Sequence, residues 1–330
     1  NAASTPIYPE VIELIHNLMQ DNFGNPSSIH NYGRQSKVII EESRLKIANI
    51  INTNPGSIFF TSSGTEGDNM SIYSTISDYQ ISHAITSPLS HHAVLYPLED
   101  LSNKGDIQLS YVEFDKNGMI NLDNLDSLLR RNHKSFVSIM HANNEIGTIQ
   151  DLQAIADICK SHDAIFHSDA VQTIGHFPFN MQEINLDILV ASGHKFHGPK
   201  GVGFVYVNNN LKISPFIKGG GQERNMRSGT ENIYAIAGMA QAMELSYKTL
   251  IEDTKYIKDL KLYMIENLKK NIPGIAFYGN CIDLENSLYT ILNVSMPEIK
   301  DLDMLLFNLD IMGIACSSGS ACSSGVSKKS

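Results

Sequence analysis

The chain has 330 residues, more than one hydrophobic core usually grows to, so a large domain with a smaller companion is expected. Hydrophobic residues make up 42% and charged residues 18%, a globular composition that excludes a disordered chain. Lys plus Arg is 25 against 35 Asp plus Glu, a formal net charge of −10 that weighs against nucleic-acid or membrane partners, and four cysteines are too few for a disulfide framework.

The pattern predicts helices over Pro9–Asn22 and Gln35–Ile51, then a strand over Ser57–Thr61 and a helix over Glu66–Ser77. Strand His83–Ser87, helix His92–Leu101, strand Gln108–Val112 and helix Leu122–Leu129 follow. Next come strand Phe136–His141, helix Leu152–Ser161, and strands Ala164–Ser168, Ile188–Ser192 and Gly203–Val207. Such alternation implies an α/β fold with a mostly parallel sheet between helices. Beyond about Thr230 the pattern changes to one or two long helices over Ile233–Leu268. Short strands at Ile275–Tyr278, Leu288–Val294 and Ile311–Cys316, with a helix at Asp301–Leu309, read as a smaller α+β domain. The expected division is an N-terminal segment 1–15, a large domain 16–240 and a small domain 241–330. No run of about 18 apolar residues predicts a transmembrane helix, and Asn1–Pro6 has no signal-peptide features, so a cytoplasmic protein is expected.

Open α/β sheets bind ligands at the carboxyl ends of their strands. The first strand runs into Ser62-Ser63-Gly64-Thr65-Glu66 at a helix start, which suits either an anion or a plain N-cap. It is neither a Walker A motif nor a GxGxxG. Other strand ends deliver Asn144, Asp169 with Gln172, and Ser192-Gly193-His194-Lys195 to the same edge. A strand-end Lys can form a Schiff base with an aldehyde, and a carboxylate can keep a pyridine nitrogen protonated. These residue types suit pyridoxal phosphate, with Thr65 toward the phosphate and Asn144 and Gln172 toward the ring oxygen. Read singly, Lys195 is equally an exposed turn lysine and Asp169 a cap, and residue types alone leave both readings open.

Ser192-Gly193-His194-Lys195-Phe196-His197-Gly198-Pro199-Lys200-Gly201 resembles the lysine motif of the cysteine desulfurases, in the class V aminotransferase family. Other segments are similar in order and spacing: Asn1–Pro6, Phe23–Ser28 with His30, Thr61–Glu66 with Asp68-Asn69, and His91 before Ala93-Val94-Leu95. So are His141–Gly147, Asp169–Gln172 and Arg224–Thr230. Ser317-Ser318-Gly319-Ser320-Ala321-Cys322-Ser323-Ser324 resembles the active-site cysteine loop of the group that feeds iron–sulfur cluster assembly. A Cys in a Gly/Ser-rich loop suits a mobile nucleophile. Cys159 and Cys281 read as small buried hydrophobes, and Cys316 as structural.

The resemblance implies conversion of L-cysteine to L-alanine, with sulfur left as a persulfide on Cys322 and passed to a sulfur-acceptor protein. It implies the PLP-dependent transferase fold of type I. Lys195, Cys322 and His91 would be catalytic, with His91 stacked on the ring. Cofactor contacts would come from Gly64, Thr65, His91, Asn144, Asp169, Gln172, Ser192, His194 and Lys195, and from Thr230 reaching the partner's phosphate in a homodimer. A selenocysteine lyase or another class V enzyme would share the cofactor residues, and an inactive scaffold of the same fold is a reading of another class. A Rossmann-type redox enzyme lacks its GxGxxG and CxxC, and a catalytic metal lacks HExxH or paired CxxC. Family members continue past the cysteine loop and carry there an arginine for the substrate carboxylate. No residue here matches it, so a longer native chain and weak substrate binding without that tail are expected.

Overall fold

The computed structural model describes residues 1–132, 134–297 and 302–319. Seven short strands form one sheet: β1 (Ile58–Thr61), β2 (His83–Thr86), β3 (Gln108–Tyr111), β4 (Ser135–Ser138), β5 (Ile165–Asp169), β6 (Ile188–Ser192) and β7 (Gly203–Val207). Their order is β1-β7-β6-β5-β4-β2-β3. Only β7 runs antiparallel to its neighbours, so the expected mostly parallel α/β sheet is present.

Alternation along the strands decides which helices cover each face. Leu189 and Ala191 of β6 join a core with α1 (Pro9–Asp21), α2 (Asn31–Ile50), α5 (Leu122–Arg130), α6 (Leu152–Ser161) and the start of α7 (Ile233–Asn271). Ile188 and Val190 point the other way, where Met70 of α3 (Gly64–Asp78) covers them. α4 (His92–Asn103) completes that face with Val94, Leu98 and Leu101. Caps follow from residue type: Ser63, His91, Asn121, Asp151 and Asn232 each accept an amide of the first turn.

The long C-terminal pattern is a single helix. α7 has 39 residues, a length of roughly 58 Å at the usual rise, and it runs through the boundary expected at residue 240. Its first half is buried, whereas beyond Ser246 only Lys261 and Ile265 are. A two-stranded ribbon, β8 (Ala276–Phe277) with β9 (Val294–Ser295), and helix α8 (Leu302–Ile311) follow.

Two strand expectations are corrected here. Leu288–Val294 is irregular up to Asn293, because Leu288 N donates to Gly147 O over 2.7 Å and Ser287 bridges Thr148. Burial of Leu288 and Ile291 against that turn produces an apolar spacing that mimics a strand. Met312–Cys316 continues α8 as a turn and extended chain rather than a strand, with Gly313 in the left-handed region at φ 79°. Cys159 and Cys281 are buried as expected, and Cys316 is exposed.

Candidate active site

Strands β1, β2, β4, β5 and β6 all direct their carboxyl ends to one sheet edge. Across β1, β7 and β6, Thr61, Gly203 and Ser192 stand in one row. A Cβ on Gly64 would lie 2.7 Å from Val171 Cγ2 and 3.6 Å from the Ser192 Cβ. The start of α3 therefore lies directly against the ends of β5 and β6, and only a glycine allows that approach. Ser63 Oγ accepts from Glu66 N over 3.2 Å, and the Glu66 carboxylate accepts from Ser62 N and Oγ at 3.0 and 2.5 Å. Those hydroxyls are engaged in capping. The Gly64 and Thr65 amides, by contrast, have no acceptor among the described residues, as first-turn geometry requires.

Asp169 ends β5 and Lys195 follows β6, the adjacent strand; both are buried, each 6% exposed. Asp169 Oδ1 accepts from Val171 N over 2.9 Å. Burial pushes its carboxyl up, while the Val171 amide and the charges of His91 and Lys195 pull it back toward ionisation. His91 caps α4, with Nδ1 accepting from Ala93 N over 3.1 Å, so in the neutral ring Nε2 carries the hydrogen. Lys195 Nζ donates to the carbonyl of Ala2 over 3.0 Å. The N-terminal segment is thus part of this site. It is fastened by Thr5 N to His194 O at 3.0 Å and by His197 N to Thr5 Oγ1 at 2.7 Å.

Beneath Asp169 lies a second buried carboxyl that sequence reasoning did not pair with anything. Asp68 Oδ1 faces His167 Nε2 at 3.4 Å, and neither atom makes a closer hydrogen bond. Burial, then repulsion from Asp169, raises Asp68 well above the carboxylate range. Asp169 has an amide donor and lies near His91 and Lys195, which favour its charged form, so the pair keeps its negative charge on Asp169 and its proton on Asp68. His167 Nδ1 meets Ser138 Oγ at 2.8 Å, His141 Nδ1 meets Thr173 Oγ1 at 2.9 Å, and His83 lies between Ser135 and Ser110. Burial lowers His141 to about 4 and His167 to about 3. Burial thus keeps His83, His141 and His167 neutral, each bound to a hydroxyl, and no three or more His, Cys, Asp or Glu gather to hold a metal among the described residues.

His194 is half-buried, with Nδ1 3.3 Å from Ser4 Oγ; burial, then Lys195 and Lys200, lower it to about 4. Asn144 and Gln172 are half-buried in turns after β4 and β5, and neither side chain has a hydrogen bond among the described residues. Asn143, its neighbour, is the structural one: Oδ1 accepts from the Glu145 and Ile146 amides. Thr230 is exposed, and its side chain makes no hydrogen bond among the described residues. Cys322 lies outside the described residues.

The aminotransferase class-V family matches residues 1–329. The cysteine desulfurase IscS of Dictyoglomus turgidum is 42% identical over 325 residues, 98% of this chain and 81% of its own length. A solved NifS-like protein superposes with a TM-score of 0.91 at 36% identity, covering 98% of this chain and 87% of its own. SspA in complex with cysteine superposes with a TM-score of 0.81 at 30% identity, covering 98% and 89%. A family match over residues 1–329, with relatives covering 98% of the chain, leaves one placement: the chain belongs to the aminotransferase class-V family, among its cysteine desulfurases.

Proposed function

We propose that Lys195, Asp169 and His91 form the reacting centre of this cysteine desulfurase, and that Gly64, Thr65, Ser192 and His194 hold its cofactor's phosphate. The cofactor is pyridoxal phosphate, on which class-V aminotransferases and cysteine desulfurases depend. The residues present fit it. The second oxygen of Asp169 makes no hydrogen bond among the described residues and suits a protonated ring nitrogen, and the Gly64 and Thr65 amides await an anion. Bound there, pyridoxal phosphate supplies an electron sink for bonds at the substrate carbon beside the amino group.

The chain's own residues supply the rest. Lys195 Nζ would hold the aldehyde carbon, and once released would carry the proton at the substrate α-carbon. Asp169 stays ionised because Asp68 takes the pair's proton. His91 would stack on the ring and relay protons through Nε2, while Asn144 and Gln172 would reach the ring oxygen. His194, neutral at pH 7, can share a hydrogen bond with a phosphate without adding charge.

The substrate is L-cysteine, the ligand of the SspA relative. Cys322 would attack the substrate sulfur as a thiolate, forming an S–S bond as the carbon–sulfur bond breaks and leaves its electron pair on the carbon skeleton, which takes up a proton and departs as alanine; the persulfide would then pass its outer sulfur to an acceptor protein of iron–sulfur or thio-cofactor synthesis. Thr230, exposed on one protomer, would complete the partner's phosphate site, which makes a homodimer the working unit. No helix among the described residues is long and apolar enough to cross a membrane, and the reading places the enzyme in the cytoplasm.

The observation that carries this reading is the burial of Lys195 and Asp169 at adjacent strand ends. The test is an absorbance spectrum with and without cysteine, paired with alanine detection. Cys322→Ser should keep the cofactor band and lose sulfide release. Full sulfide release from that variant would remove Cys322 from the reaction.

A further inference from the structure

Strand β1 is an edge strand, so the backbone groups that face away from β7 need partners from elsewhere. Phe60 N donates to Glu223 Oε2 over 2.8 Å. Ile58 O accepts from Arg44 Nη1 at 2.7 Å and from Arg224 Nη2 at 2.6 Å. Arg44 also grips both oxygens of Glu223, at 2.8 Å each, and this pair is almost wholly buried. The guanidinium groups of Arg44 and Arg224 lie over the rings of Phe60 and Phe59, 4.6 and 4.8 Å from their centroids.

The residues that seal this edge are themselves strained. Glu223, Arg224 and Asn225 are three consecutive non-glycine residues in the left-handed region, at φ 44°, 56° and 67°. Such a run persists only where its surroundings over-determine it, and here the buried ion pair does so. Two residues further, Arg227 pairs with Glu66 at 2.8 Å. Gly229 N then donates to Gln222 Oε1 over 3.1 Å, and the turn ends in exposed Thr230.

We propose that Glu223, with Arg44 as its counter-ion, is a positioning residue for the cofactor phosphate: it locks the left-handed turn that presents Thr230 to the partner subunit. The inference rests on the reading of Thr230 given above. The carboxylate touches neither substrate nor cofactor; it sets the direction in which the Thr230 hydroxyl leaves the protomer surface.

The test is a double-variant cycle on the dimeric holoenzyme, with two readouts: the dissociation constant of pyridoxal phosphate and the ³¹P resonance of the bound cofactor. Thr230→Ala should weaken cofactor binding about tenfold, the loss of one hydrogen bond to a charged group. Glu223→Gln should weaken it about fivefold, on the scale of one misplaced hydrogen bond, and move the ³¹P resonance as Thr230→Ala does. In the Thr230→Ala background, Glu223→Gln should add almost nothing. An equal loss in both backgrounds would mean that Glu223 stabilises the fold only, and would overturn the proposal while leaving Thr230 in its role. Unchanged affinity in Thr230→Ala would overturn the Thr230 reading and the proposal with it. Where Glu223→Gln gives no folded dimer, Arg224→Ala on the exposed side of the turn takes its place in the cycle, and an additive loss there overturns the proposal equally.

Discussion

The amine of Lys195 donates to the main-chain carbonyl of Ala2 over 3.0 Å, across 193 residues of sequence. Backbone from the N-terminal segment therefore helps to orient the lysine. Lys195→Ala should abolish the cofactor absorbance near the visible edge. Deleting residues 1–3 should leave that band and raise the cofactor dissociation constant about fivefold, the value of one ordinary hydrogen bond, as equilibrium dialysis would show.

Acid should destabilise the protein through its neutral histidines. The ordinary histidine pKa is 6.5, and His141 and His194 are both lowered to about 4 by burial. Between those values the unfolded chain binds protons that the folded chain refuses, so stability is full above pH 6.5 and is lost as pH falls toward 4. At pH 5 the loss is about 2 kcal/mol for half-buried His141. Urea midpoints measured from pH 7 to 4.5 should decline, and His141→Asn should flatten the decline.

Asp68 has the opposite sign. Its folded pKa is raised by burial and by Asp169, so it binds a proton that the unfolded chain releases above the ordinary carboxylate value. Its contribution is fully present at low pH and is lost as pH rises through the raised value. Asp68→Asn should therefore raise the thermal midpoint at pH 8 more than at pH 5, with a gain of about 1–3 kcal/mol at the higher pH. An equal shift at both pH values would show that Asp68 is not the protonated member of the pair.

The approach of α3 to the strand ends can be probed through Gly64. An alanine there would place its Cβ 2.7 Å from Val171 Cγ2. Gly64→Ala should cost about 1–3 kcal/mol in chemical unfolding. Because the obstruction is a side chain, adding Val171→Ala should return part of that loss.

Much of this arrangement is legible in the sequence because strand ends are punctuated. The strands at Ile188–Ser192 and Gly203–Val207 match their expected limits, since buried β-branched runs end sharply at polar or glycine residues. Ser192 ends the first of these and Lys195 follows it, whereas Asp169 ends a strand observed over Ile165–Asp169, one residue later than expected. The pairing of Asp68 with His167 is not legible, because the two lie on α3 and β5 and neither spacing nor charge marks the contact. Ala2 is less legible still, because its contribution is a carbonyl that any residue type would supply. The expected strand at Leu288–Val294 failed for a related reason: burial against a turn and burial in a sheet leave the same apolar spacing.

The seal on strand β1 has a consequence for how the chain is made. Phe60 and the carboxylate that receives its amide are 163 residues apart. Synthesis proceeds from the N-terminus, so the strand leaves the ribosome long before Glu223 exists. During that interval its outer edge is an open template for a strand of another nascent chain. The buried ion pair thus also marks the moment at which edge-to-edge misassembly ceases to be possible, and slow translation between the two positions would lengthen the vulnerable period.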